Sequence, residues 1–375
     1  MSKKAWVWLL VVVVIIVAIV LIKKPAATVE GDTIKIGFVG ALSGDAAAYG
    51  ESAKQGVELA VSQINANGGV KGKQVEVIYE DAKCTGKDAV SAAQKLVNVD
   101  KVKFIIGGSC SGETIAMAPI VEAAKVLTLS PISSNPTIST MGDYIFRNHP
   151  SDNQAGSAIS NLIMSNTKSA AVIAEQTDYS QGLRKVFVDS YTAAGGTLAF
   201  DESFAVGTTD FRSLVSKIKA TGVTAVFVDA QTEASFIQIA TQMKDLGVKA
   251  QIYTAYITGD NIIKKADLLN GMIAVDLPSL GTMSKASEFT ASFNTMFAKN
   301  PNYPYFAAAA YDATYLLTDG ILKHGYDSTK VKDFLYGIKE YTGAAGTYHF
   351  DENGDVVGVS LTNKKLENGA FVEVK

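Results

Sequence analysis

Short β-rich runs alternate with helix-periodic segments along almost all of this chain, and that rhythm restricts the fold more than any other feature. Ile34–Val39 reads as a strand. Tyr49–Asn65 reads as a helix, with Ala53, Val57, Ala60, Val61 and Ile64 at helical spacing and Asn67-Gly68-Gly69 ending it. Strands at Gln74–Tyr79, Lys103–Ile106 and Val126–Leu129 alternate with helices at Lys87–Val99 and Thr114–Ala124. Pro131 and Pro136 bar a helix from the segment between them. Four strands separated by helices imply a parallel sheet covered on both faces.

The rhythm restarts after Ile145-Phe146-Arg147. Helices at Ala155–Ser165, Tyr179–Ala194, Asp210–Ala220 and Glu233–Gly247 alternate with strands at Ser169–Ala174, Thr197–Phe204, Ala225–Asp229 and Gln251–Tyr253. This is a second α/β unit. Helices are expected near Ser287–Asn300, Ala307–Gly325 and Val331–Ile338, and the tail Gly346–Lys375 reads as short strands turning at Asn353-Gly354 and Asn368-Gly369.

The N-terminus is of another kind. Lys3 and Lys4 precede an unbroken apolar run over residues 5–22, and Lys23 and Lys24 follow it. Such a run is at the lower end for a bilayer-spanning helix and longer than the usual signal-peptide core. We expect residues 1–28 to be an uncleaved membrane anchor and linker with the globular part outside; a cleaved signal peptide, leaving a secreted or periplasmic protein, is the alternative. Cys84 and Cys110 are the two cysteines and allow one bridge or none; each follows a predicted strand, so both lie at one sheet edge, and export permits oxidation.

A net charge of −3 makes no electrostatic case for nucleic acid. Three histidines are few for a metal site or for His-based catalysis. No nucleophile elbow, Walker lysine, zinc-binding His pair or dinucleotide glycine motif is present, so no enzyme activity and no cofactor are expected. Ligands of open parallel sheets bind beyond the carboxyl ends of the strands. Those ends here are Leu42–Gly44, Gly107–Thr114, Ser130–Asn135, Glu175–Tyr179, Asp229–Glu233 and Tyr256, rich in hydroxyls, aromatics and small residues. In Gly107–Thr114 a strand feeds a helix whose free N–H groups, with Ser111 at the N-cap, suit an anion. Tyr49, Tyr179 and Tyr256 sit where aromatic rings would line a cleft, and one of Glu113, Glu175, Asp229 or Glu233 could meet a ligand ammonium. Reversible capture of a small polar molecule by closure of two units fits these residues.

In order along the chain, Ile34-Lys35-Ile36-Gly37-Phe38-Val39-Gly40-Ala41-Leu42-Ser43-Gly44, Tyr49-Gly50, Ile64–Gly72, Tyr79-Glu80-Asp81, Ile106–Ser111, Ser130-Pro131 with Asn135-Pro136, and Asp178–Gly182 are found. With them the chain resembles the leucine/isoleucine/valine-type periplasmic binding proteins of ABC transporters, from about Ile34 onward. The resemblance implies a type I periplasmic-binding fold: two doubly wound lobes, residues 32–148 plus 279–346 and residues 149–278 plus 347–375, joined by three crossovers. It implies a Cys84–Cys110 disulfide. It implies an amino-acid carboxylate held by Ser111 and Ser134, an ammonium on the Ile132 carbonyl, and Tyr49 and Tyr179 in the site. Ser109, Thr232 and Tyr256 stand where the leucine-type proteins carry Leu, Tyr and the ammonium-pairing acid. The pocket is therefore expected to be more polar, with Glu233, Asp229 or backbone carbonyls only as the ammonium partner. The implied partners are an amino acid, a membrane permease and the membrane through the N-terminal helix, with the chain a monomer. A ligand-sensing domain for an amide or another small polar molecule is the alternative.

Overall fold

The computed structural model describes residues 33–282 and 285–374. The apolar run over residues 5–22, and with it the expected anchor, lies outside the described residues; among those described, no helix is long and apolar enough to cross a membrane.

The first half builds β1 (Ile34–Gly40), α1 (Ala47–Ala66), β2 (Val75–Asp81), α2 (Gly86–Asn98), β3 (Phe104–Gly107), α3 (Ser111–Ala123), β4 (Leu127–Ser130) and β5 (Ile145–Arg147). The strands form a parallel sheet in the order β2-β1-β3-β4-β5. Neighbouring residues on a strand face opposite ways. Ile106 thus packs toward Ala53 and Val57 of α1, whereas Ile105 packs with Leu96 of α2 and Met117 of α3.

The second half builds α4 (Asp152–Met164), β6 (Ser169–Glu175), α5 (Asp178–Ala193), β7 (Thr197–Phe204), α6 (Arg212–Thr221), β8 (Ala225–Asp229), α7 (Glu233–Asp245) and β9 (Gln251–Ala255). Two short helices, α8 (Asp260–Ile263) and α9 (Ala266–Leu269), lead to β10 (Ile273–Asp276). Four-residue helices are too short to show a period, so the sequence pattern does not reveal them. Val172 and Phe227 pack with Phe187 of α5, and their neighbours Ile173 and Val228 pack with Ile218 of α6 and Phe236 of α7.

Next come α10 (Ala286–Phe297), α11 (Pro304–His324) and α12 (Ser328–Gly337), then β11 (Tyr341–Gly343), β12 (Gly346–Phe350), β13 (Val356–Val357), β14 (Thr362–Glu367) and β15 (Ala370–Val374). Helix α11 returns to the first sheet and lies along α1. The contact is close because it is made of small residues: Ala307–Ala310 are all buried, and a Cβ on Gly56 would fall 2.0 Å from the Ala307 carbonyl oxygen. The tail divides. Strands β11, β12 and β13 form a small sheet of their own, while the β14–β15 hairpin extends the second sheet to β15-β14-β10-β9-β8-β6-β7, antiparallel at β10–β14. Its turn uses Asn368 and Gly369, both at positive φ, as a two-residue hairpin requires.

Candidate functional site

The carboxyl ends of the two parallel sheets face each other across a pocket of about 420 Å³. One wall comes from the first sheet. After β3 the chain reaches Cys110, extended at φ −123° and ψ 146°, which is the N-cap of α3. Ser111 is therefore the first helical residue and not the cap, as the sequence pattern suggested; the cap position falls to the residue tied by the Cys84–Cys110 disulfide. Glu113 fixes the turn from within, accepting from the N–H groups of Ser109 (2.7 Å), Cys110 (3.0 Å) and Cys84 (2.8 Å). It is wholly buried there, and burial pushes its carboxyl up to about 7 against those three bonds. Glu113 is thus a structural acid and not a partner for a ligand.

Ser111 Oγ accepts from the N–H groups of Ser134 (3.2 Å) and Asn135 (3.1 Å). Its own proton is left for whatever stands in the pocket. Ser134 Oγ donates to Asp152 Oδ2 at 2.9 Å, so its proton is already committed. Ser109 and Ile132 complete this wall; Ser109 is 3% exposed and its hydroxyl has no hydrogen-bond partner among the described residues.

The opposite wall is aromatic. Tyr179 stands in the first turn of α5, which Thr177 caps. Tyr256 follows β9 with φ +58° and is held by its N–H to the Val275 carbonyl (3.0 Å). Tyr49 Oη donates to the Gln231 carbonyl at 3.1 Å, joining α1 to the loop after β8. Ring centroids run in a chain around the pocket: Tyr179 to Tyr256 at 6.5 Å, Tyr256 to His149 at 5.2 Å, His149 to Phe306 at 5.9 Å, and Phe306 to Tyr49 at 5.9 Å. Burial holds His149 down to about 4, leaving a neutral imidazole. Beside the pocket the two walls touch: Asn135 Nδ2 donates to the Asp178 carbonyl at 2.5 Å, and a Cβ on Gly182 would fall 2.3 Å from that nitrogen.

Of the residues singled out in the sequence, Tyr49, Ser109, Ser111, Ile132, Ser134, Tyr179 and Tyr256 all line this pocket. Thr232 and Glu233 do not. Thr232 is the N-cap of α7, its Oγ1 accepting from Ser235 N–H at 3.3 Å, and Glu233 opens the helix beside Gly259 and the Tyr303 hydroxyl. The same capping geometry that begins the helix turns both side chains from the pocket. Their neighbour Gln231 lines it instead, as do His149, Phe306 and Ile257. Gln231 belongs to a strand-end loop already marked in the sequence. His149 and Phe306 carry no local signal, because they arrive from the crossover after β5 and from α11. A second cavity of about 1210 Å³ adjoins the first, shares Tyr256 and Phe306 with it, and holds the Lys364–Asp276 ion pair (2.7 Å).

Among the described residues, no carboxylate, lysine or arginine lines the pocket. A set of hydroxyls at a helix N-terminus opposite a belt of rings binds and orients a small polar molecule; it presents no nucleophile activated by a base.

Comparison with known proteins agrees with this geometry. The family model described as periplasmic binding protein matches residues 33–360. The leucine-, isoleucine-, valine-, threonine- and alanine-binding protein of Pseudomonas aeruginosa is 33% identical over 339 residues, covering 88% of this chain and 89% of that protein. The Leu/Ile/Val/Thr-binding protein of Salmonella typhimurium is 30% identical over 335 residues, covering 87% and 89%. The branched-chain amino acid transporter substrate binding protein LivJ of Streptococcus pneumoniae, solved with isoleucine, superposes with a TM-score of 0.82 at 29% identity, over 92% of this chain and 100% of that one. A benzoate-bound solute binding protein from R. palustris has the same fold at 20% identity and a TM-score of 0.81, over 92% and 96%. With its two parallel sheets facing across one pocket and a family match along nearly the whole described length, the chain belongs to the periplasmic binding protein family.

Proposed function

We propose that this chain is an extracytoplasmic solute-binding protein that captures an amino acid between two lobes and delivers it to an ABC permease. The observation that carries the reading is the pocket's polarity. Ser111 and the start of α3 offer donors on one side, and rings backed by buried acids stand on the other. A zwitterion fits such a site end to end. Ser111 holds the carboxylate, Ser134 backs it through its N–H to the Ser111 hydroxyl, the Ile132 carbonyl helps receive the ammonium, and Tyr49 and Tyr179 close over the ligand. The hydroxyl of Ser109 makes the side-chain end more polar than a purely aliphatic ligand needs, which favours threonine or alanine beside the branched-chain acids.

The lobes are residues 32–148 plus 279–346 and residues 149–278 plus 347–375, hinged at three crossovers. Closure about those crossovers brings the aromatic wall onto the hydroxyl wall. Residues 5–22, apolar and flanked by lysines, anchor the chain to the membrane with its binding unit outside and working as a monomer.

A thermal-shift screen of the twenty amino acids, their amides and small carboxylates tests this. A ligand that binds only the folded state raises its melting temperature by mass action. The expected result is a rise with one or a few small amino acids. A rise with amides alone, or with no amino acid, removes the amino-acid reading.

A further inference from the structure

Four carboxylates stand one layer behind the pocket wall, and three of them, Asp152, Asp229 and Glu233, keep at least one oxygen without a hydrogen-bond partner among the described residues. Glu175 accepts from the Gln231 N–H at 2.8 Å, and Glu233 lies beside the Tyr303 hydroxyl. Asp152 opens α4 and is fully buried; its Oδ2 takes the Ser134 hydroxyl, and its Oδ1 has no hydrogen-bond partner among the described residues. Asp229 ends β8 at 1% exposure, and neither of its oxygens has one. Tyr256, 8% exposed, lines the pocket, and its Oη is also unpartnered: it lies beside Asp152 without reaching hydrogen-bond geometry, as the Ser180 hydroxyl lies beside Asp229.

Among the described residues, neither Asp152 nor Asp229 is in an ion pair, and Arg147 and Arg184 act on this pair only at longer range while bonded elsewhere. Arg147 sits on Asp355, Nε at 2.6 Å and Nη2 at 2.8 Å, with Nη1 on the Asn135 carbonyl; Arg184 is paired with Asp201, and Lys364 with Asp276. His149 is neutral. Burying two carboxyls without partners is costly, and a ligand cation would remove that cost.

We propose that Asp152 and Asp229 are the counter-charge for the ligand's ammonium, which seats against the rings of Tyr179 and Tyr256 and meets both acids through that one layer. This rests on the amino-acid reading above and deepens it. Asp229 supplies field directly. Asp152 is a positioning residue, acting through Ser134 and Tyr256. The rings add cation–π attraction, which grows where water is excluded. Capture then has a proton balance. Burial, and for Asp229 the neighbouring Asp152 charge, favour the protonated form of both acids, the arriving ammonium favours the ionised form, and a carboxyl proton leaves to solvent as the ligand's charge enters. Around the pair, Glu175, Arg147, Arg184, Asp276 and the phenols of Tyr49, Tyr179 and Tyr256 are the other ionisable groups in play.

The test is isothermal titration calorimetry of the full-length protein with L-leucine and L-threonine, each against its skeleton without the amine, 4-methylpentanoate and 3-hydroxybutanoate. The amino acid should bind at least about tenfold more tightly. Its heat should vary with the ionisation enthalpy of the buffer, reporting proton release. Asp229→Asn should cut the preference to about threefold or less, abolish the buffer dependence, and raise the melting temperature of the ligand-free protein, a sign that a purely structural acid would reverse. Asp152→Asn, the second variant, should also weaken the preference. Equal binding of the amine-free skeletons would overturn the proposal while leaving solute capture intact. So would a preference and proton release that survive both substitutions. Binding of none of the four would overturn the amino-acid reading together with it.

Discussion

The two walls of the pocket are built from similar materials and differ in how well they are satisfied. On the first-sheet side the Ser109 hydroxyl lacks a partner among the described residues, but Glu113, Ser111 and Ser130 tie the turns together: Ser130 Oγ donates to the Gly108 carbonyl at 2.9 Å, and Ser133 and Thr114 share a hydroxyl contact at 2.7 Å. On the second-sheet side, Tyr256 Oη, Ser180 Oγ and both oxygens of Asp229 lack partners among the described residues. A finished network rigidifies a site before the ligand arrives; an unfinished one is completed by it. The first wall therefore reads as the fixed, anion-holding surface and the second as the surface whose energy changes on capture.

The strongest way to break this contrast is to loosen the fixed wall. Replacing Cys84 and Cys110 by serine opens a loop with a sequence separation of 26 and removes the tie at the N-cap of α3. Loss of about 3 kcal/mol of stability is expected in denaturant titration, with weakened ligand binding because Ser111 is next in the chain. An unchanged midpoint would show that Glu113 alone holds the turn. Ser111→Ala is next. It strands the N–H groups of Ser134 and Asn135 and removes a donor from the pocket, so affinity should fall by about 1–3 kcal/mol in calorimetry; an unchanged affinity would take Ser111 out of the site.

The second wall is probed by pH. Burial raises Asp152 to about 7 and Asp229 well above its ordinary value. The folded chain then binds more protons than the unfolded one between about pH 4 and 7. Stability of the ligand-free protein is greatest below that window and declines as pH rises through it, because each proton held only by the folded chain costs about 1.4 kcal/mol more to keep with every tenfold fall in proton concentration. Glu113 and Asp312, both raised to about 7 by burial, act in the same direction. Denaturation at pH 5 and pH 8 should show the fall, and Asp152→Asn should make it shallower; a flat profile in the parent protein would mean that water or a rearrangement satisfies these acids. The smallest effect belongs outside both walls. Thr232→Ala should cost about 1 kcal/mol of stability as a lost helix cap and leave ligand affinity unchanged; a change in affinity would return Thr232 to the site.

What could be read from sequence follows from which forces are local. Alternating strands and periodic helices announced a doubly wound α/β chain, because burial on both faces of a parallel sheet writes a pattern into every element. The strand-end loops named the pocket, since topology brings those ends together whatever their side chains. The misses have a common origin. Thr232 and Glu233 sit where a loop becomes a helix, as does Ser111, which lines the pocket although Cys110 is the cap; a shift of one residue there decides whether a side chain meets the pocket or the helix backbone. His149 and Phe306 enter from segments distant in sequence. Asp152 showed only as the start of a helix; that its carboxyl is sealed behind Ser134 and Tyr256 is a tertiary fact.

A crystal structure with a bound L-amino acid tests the central claim most directly. One molecule should lie in the pocket, its carboxylate within hydrogen-bond distance of Ser111 and its ammonium against Tyr179 and Tyr256 on the side of Asp152 and Asp229. A reversed ligand, or one seated only in the adjoining cavity by Lys364 and Asp276, would contradict it.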